Sequence, residues 1–166
     1  MPHFNKRIRK IRITDIPETG GALATRDRDL ALRDLEAGNF YVPIHNETED
    51  QHGPYDVTLS LQDGRLVFQT QNAKSEELPA LVLSLTPYRR LIKDYFMIVQ
   101  SYNEAIKGAN PSRIEAIDMG RRGLHNEGAE LLMERLNNKI KLDIDTARRI
   151  FTLICVLHAG KIHTMR

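Results

Sequence analysis

The sequence predicts an α+β fold: an antiparallel sheet of about four to five strands in the first half, packed against three to four helices mostly in the second. Three observations carry this. Tyr55, Val57, Leu59 and Leu61 alternate with Asp56, Thr58, Ser60 and Gln62, the period of a half-buried strand. Asp63-Gly64, a favoured type I′ hairpin pair, then turns the chain into Arg65–Thr70. Beyond residue 86 the period changes, and Leu91, Ile92, Tyr95, Phe96, Ile98, Val99, Tyr102 and Ile106 recur at helical spacing.

The remaining elements follow in order. Ile8, Ile11 and Ile13 stand among bases, giving a strand near 7–14 with a bulge around Arg9-Lys10. Pro17 and Gly20-Gly21 read as a loop. Residues 24–37 read as a helix capped by Thr25 and ended by Gly38. Its apolar stripe is Leu30, Leu32 and Leu35; Arg26, Asp27, Arg28, Asp29, Arg33 and Asp34 are expected to face water. Asn39–Ile44 is a short strand, with Pro43 placing it at a sheet edge or strand end. Residues 45–53 form a polar loop, and Leu81–Leu85 is a third meander strand. Thr86-Pro87 is the expected start of the first long helix, which Gly108 ends. Ser112-x-x-Glu115 is a capping box opening a second segment to about Asn137, either one helix or two divided near Gly120 or Gly123. Lys139–Asp143 is a short strand or link, and Asp145 or Thr146 caps a last helix through about His158.

The 166 residues fit a single domain over 1–166, strand-rich over 1–86 and helix-rich over 87–160. With one cysteine, Cys155, the chain has no disulfide framework and no cysteine-based zinc finger. Its run Ile150–Leu157 is too short for a membrane span. The N-terminus has charges without the apolar region of a signal peptide, so the expected location is cytoplasmic. Residues 1–13 carry +5, residues 14–80 carry −8 and residues 81–166 carry +5, within a formal net charge of +2. The basic ends suit either an anionic partner or docking on the acidic middle.

One segment carries candidate chemistry. On a helix, Ile114, Ile117, Arg121, Leu124, Gly128 and Leu131 share a face, placing an arginine on an apolar stripe. Asp118, Arg122 and His125 lie three or four residues away along the helix. In one reading, Arg121 and Arg122 grip a phosphate or carboxylate while His125 tunes or transfers a proton. In the other, an Asp118–Arg121 pair ties the helix to the sheet or to a second subunit. Gly120 and Gly123, each costing about 1 kcal/mol in a helix interior, favour a break exposing backbone N–H groups. Arg89 and Arg90 stand in a helix first turn, where the dipole disfavours cations, and invite an anion or nearby carboxylates. Asp118, His125 and Glu127 are the candidate catalytic groups. His125, Glu127 and Glu130 have ligand chemistry but no metal-site spacing, so no metal is expected. Cys155 and His158 are three apart, but the apolar setting argues for an inert thiol. No common nucleotide or hydrolase signature occurs, and no cofactor is expected.

The segments Leu83–Phe96, Ile114–Leu132 and Thr146–His158 resemble Uncharacterised Protein Family 0262, found mainly in alphaproteobacteria. The resemblance is specific over about residues 54–158. It implies a small bacterial cytoplasmic protein and carries no activity, substrate, cofactor or catalytic residue. Three functional readings therefore rest on the residues. The first is a binding or regulatory module, self-associating, with an anion or protein partner near Arg121, Arg122 and His125. The second is a small metabolic or hydrolytic enzyme using Asp118, Arg121, His125 and Glu127. The third is an RNA-associated protein using the basic N-terminal strand, although no nucleic-acid motif supports it.

Overall fold

The computed structural model describes residues 5–14 and 21–158, with side chains from Leu23 onward in the second stretch. Pro17, Gly20 and His163 lie outside the described residues. The element order is β1 (Ile8–Ile13), α1 (Gly21–Ala37), β2 (Tyr41–His45), β3 (Thr48–Glu49), β4 (Tyr55–Gln62), β5 (Arg65–Gln71), β6 (Leu81–Ser84), α2 (Arg89–Lys107), α3 (Pro111–Arg135), β7 (Ile140–Leu142) and α4 (Ile144–Leu157). The fold is α+β, strand-rich in the first half apart from α1 and helical in the second apart from β7.

The strands form two sheets, ordered β1-β4-β5-β6 and β3-β2-β7. The meander β4-β5-β6 is antiparallel, and the Asp63-Gly64 turn has the two positive φ angles, 51° and 74°, that type I′ requires. The expectation of a wholly antiparallel sheet is corrected at one edge, where β1 runs parallel to β4. A parallel neighbour needs a long crossover, and α1 with the β2–β3 hairpin supplies it. The register shifts between Ile8 and Lys10, where the bulge was expected. Asn39 secures the start of β1: its side chain accepts from the Ile8 N–H at 2.6 Å and donates to the Ile8 carbonyl at 2.9 Å.

Pro43 lies in the middle strand of the smaller sheet, not at its edge. Its position opposite Ile140 leaves the neighbouring Ile44 N–H to bond the Lys139 carbonyl at 2.9 Å, while the Pro43 carbonyl accepts from Asp50. The missing N–H is therefore tolerated away from an edge.

The helix starts differ from the caps expected. Thr25 lies inside α1, which begins at Gly21. Thr86-Pro87 opens a short 3₁₀ turn without a side-chain cap, and α2 starts at Arg89. Asn110 caps α3 by accepting from the Arg113 N–H, in place of the Ser112 box. Asp143 caps α4 by accepting from the Thr146 N–H at 2.9 Å. Asn110 and Asp143 each sit two residues before the first candidate read from sequence, because several residues there have competent oxygens and only backbone geometry selects one.

One apolar cluster joins the two halves, drawing on Ile8, Leu35, Tyr41, Leu59 and Phe68 as well as Tyr95, Leu132 and Phe151. Helix α4 is its centre. Every residue from Ile150 to Leu157 is buried, as expected for a helix apolar on all sides. It packs between α1 and α3. The close approach to α3 depends on Gly128, where a Cβ would lie 2.4 Å from the Phe151 ring.

Candidate functional site

The expected stripe of α1 is rotated. Leu30 is exposed, while Ala24, Asp27, Ala31 and Leu35 are buried at spacings of three and four. Asp27, expected to face water, is 4% exposed. The Tyr95 hydroxyl of α2 donates to Asp27 Oδ2 at 2.6 Å, and Arg121 Nη2 of α3 donates to Asp27 Oδ1 at 2.9 Å. The buried carboxylate thus joins three helices, each oxygen holding a different element. The pair expected between Asp118 and Arg121 is replaced by Asp27–Arg121. A within-helix partner would have left the arginine facing an apolar neighbour, whereas Asp27 meets it across the interface. Burial, and then the Asp27 charge, push the Tyr95 phenol up, so it remains a proton donor.

His125 lies one turn beyond Arg121. Its Nδ1 is 2.7 Å from the Arg121 carbonyl, so the proton sits on Nδ1 and is donated to that oxygen. Its ring meets Tyr95 and Phe151 edge-on, with centroids 5.9 and 5.7 Å away. Burial lowers the imidazole pKa, outweighing the hydrogen bond to the Arg121 carbonyl, and favours the neutral ring.

The other candidates diverge. Glu127 is on the exposed side and pairs with Arg90, which also reaches Asp94 at 3.2 Å. Arg90 in the first turn of α2 therefore finds its anions locally, in α2 and α3. Arg89 is exposed. Helix α3 runs unbroken through Gly120 and Gly123, where an added Cβ would meet nothing within 4 Å. Its helical hydrogen bonds therefore leave no backbone nest there. Asp118 and Arg122 instead line an open depression with Ala109, Pro111, Ile114, Glu115 and Met119. That depression includes neither Arg121, His125 nor Glu127. Cys155 is fully buried and its thiol is pushed well up, chiefly by burial. Among the described residues no three His, Cys, Asp or Glu side chains are grouped to hold a metal ion.

Sequence reasoning missed Asp27 and Tyr95. Their signal was present, since Asp27 stands at core spacing with Ala24, Ala31 and Leu35, but short alanines beside a carboxylate read as a wet face. It also missed Asp50. Burial pushes that carboxylate up, but the His52 N–H at 2.9 Å and the Tyr55 hydroxyl at 2.9 Å outweigh it, and the net shift is downward.

The model of an uncharacterised protein family (UPF0262) matches residues 5–160, and the chain belongs to that family. The match takes in the N-terminal strand and α1 as well as the helical half. A UPF0262 protein of Rhizobium meliloti (strain 1021) is 49% identical over 158 residues, covering 92% of this chain and 98% of its own length. One of Cereibacter sphaeroides (strain ATCC 17029 / ATH 2.4.9) is 50% identical over 146 residues, covering 87% and 91%. One of Brucella anthropi is 52% identical over 132 residues, covering 80% and 81%. No solved structure matches the chain. No helix among the described residues is long and apolar enough to cross a membrane.

Proposed function

We propose that the protein is a single-domain cytoplasmic binding module that self-associates through the N-terminal half of α3. The observation that carries this reading is the face around Asp118 and Arg122. These residues stand four apart, the spacing of a helical ion pair, yet no ion pair forms between them or to any other described side chain. Met119 beside them is 65% exposed, and Ile114 and Pro111 continue an apolar floor. Opposite charges flanking an exposed apolar contact are self-complementary. In an antiparallel pairing of two α3 helices about a two-fold axis, Asp118 of each copy meets Arg122 of the other. The enzyme reading loses support from the same geometry, because Arg121 is held by Asp27, His125 by a main-chain carbonyl and Glu127 by Arg90.

Light scattering across a concentration series tests this. The expected result is a shift from the 19.0 kDa chain mass towards twice that value. Asp118→Arg is expected to abolish the shift, and Asp118→Arg with Arg122→Asp to restore it. A chain that stays monomeric at every concentration, or a double variant no better than the single one, would sink the proposal.

A further inference from the structure

The outer face of the four-stranded sheet carries an independent site. Strand alternation turns Ile11, Val57, Leu59 and Phe68 towards the core and sends their neighbours to the opposite face. There Lys10 of β1 is in register with Asp56 of β4 and Gln71 of β5, and Arg12 with Thr58 and Gln69. These two cross-strand rows, with Glu77, line a concavity of about 290 Å³. It is polar, and it is distinct from the α3 face.

The charge balance identifies what it would take. Arg9 grips Asp56 with two hydrogen bonds, Nε to Oδ1 at 3.1 Å and Nη2 to Oδ2 at 2.7 Å. That carboxylate is neutralised from outside the concavity. Lys10 and Arg12 are exposed and form no ion pair among the described residues. Two cations two residues apart on one face of a strand repel each other unless an anion lies between them. Arg12 offers a planar fork matched to phosphate or carboxylate oxygens, and Lys10 a second point charge. The Thr58 hydroxyl and the Gln69 amide add neutral donors from the adjoining strands. Glu77 is the one other acid lining the concavity and suits a hydroxyl or amine on the same ligand.

The geometry points to a binding site for a small organic anion, a phosphate or carboxylate bearing a hydroxyl or amine, held between Lys10 and Arg12 on the outer sheet face. A single-stranded nucleic acid fits less well. The face offers no aromatic platform: none of its outward strand residues, among them Lys10, Arg12, Gln62, Gln69 and Ser84, is aromatic.

Isothermal titration of the full chain at low salt with inorganic phosphate, ribose 5-phosphate and glutamate tests the site. These probes separate the phosphate and carboxylate arms. Saturable 1:1 binding of at least one is expected, weakened about tenfold or more by Arg12→Gln and by Lys10→Gln, consistent with charge-assisted hydrogen bonds. Arg65→Gln, an exposed base on the same sheet at the far end of β5, should leave affinity unchanged. Thermal melting of each variant checks that it folds. The proposal is overturned if none of the probes binds saturably, or if Arg65→Gln weakens binding as much as Arg12→Gln. It is equally overturned if a short single-stranded RNA binds more tightly than every small probe and all three substitutions weaken that binding alike.

Discussion

Asp27 is an acid that the core tolerates because both oxygens are occupied. Replacing it by asparagine keeps the shape but removes the charge, leaving Arg121, whose side chain is 28% exposed, without its counter-ion. Removing one partner of a largely buried pair typically costs about 3–5 kcal/mol, and the partial exposure of Arg121 puts the expected loss at the lower end. Urea unfolding of Asp27→Asn measures it, and an unchanged midpoint would refute the role assigned here. His125 gives a second prediction. Its folded pKa lies below the usual 6.5, so the unfolded chain takes up the proton first as pH falls. The contribution of the neutral ring is fully present above about pH 6.5 and is lost below it. In His125→Asn, which retains a donor for the Arg121 carbonyl, the fall in stability between pH 6.5 and 5 is expected to be shallower than in the parent. Asp50 adds a separate, more acidic limb: its lowered pKa stabilises the fold above the ordinary aspartate range and is lost as pH falls through it.

Within α3, three glycines have different consequences. Gly128 faces Phe151 so closely that a methyl group would push α3 and α4 apart. Gly128→Ala is expected to destabilise by about 1–3 kcal/mol through overpacking. Gly120 and Gly123 face open space, and alanine at either relieves the helix of a poor former, stabilising it by up to about 1 kcal/mol. Thermal melts of the three alanine variants decide between these signs. Of the two alternatives the sequence left open, one helix or two, the structure has one. Two glycines lower helix propensity, but packing of Leu124, Ala129 and Leu132 on the core holds the segment in register.

For the molecule as a whole, α4 organises the packing and the exposed features lie away from it. The α3 face and the outer sheet face use different elements, so substitutions on one should leave the other unaffected. Self-association has a signature at this scale. If two copies bind through Asp118 and Arg122, the melting temperature rises with protein concentration, because assembly favours the native chain. Asp118→Arg should remove that dependence while leaving the melting temperature of the dilute protein near its parent value. Differential scanning calorimetry over a hundredfold concentration range provides the readout.

The sequence by itself determined the α+β class, the β4–β5 hairpin, the buried last helix and the family, since each rests on local periodicity or on contiguous wording. Asp63-Gly64 demands its turn wherever it stands, and eight consecutive buried residues in α4 follow from composition alone. Arg121, an arginine on an apolar stripe, requires a partner. Which partner it has was decided by tertiary structure: Asp27 lies 94 positions away, beyond any helical spacing rule. The same holds for the parallel edge strand β1, whose neighbour depends on where α1 carries the chain, and for the orientation of α1 itself. Local sequence specifies which faces are apolar, but only the packed fold determines which buried charge meets which, because that match is made across elements.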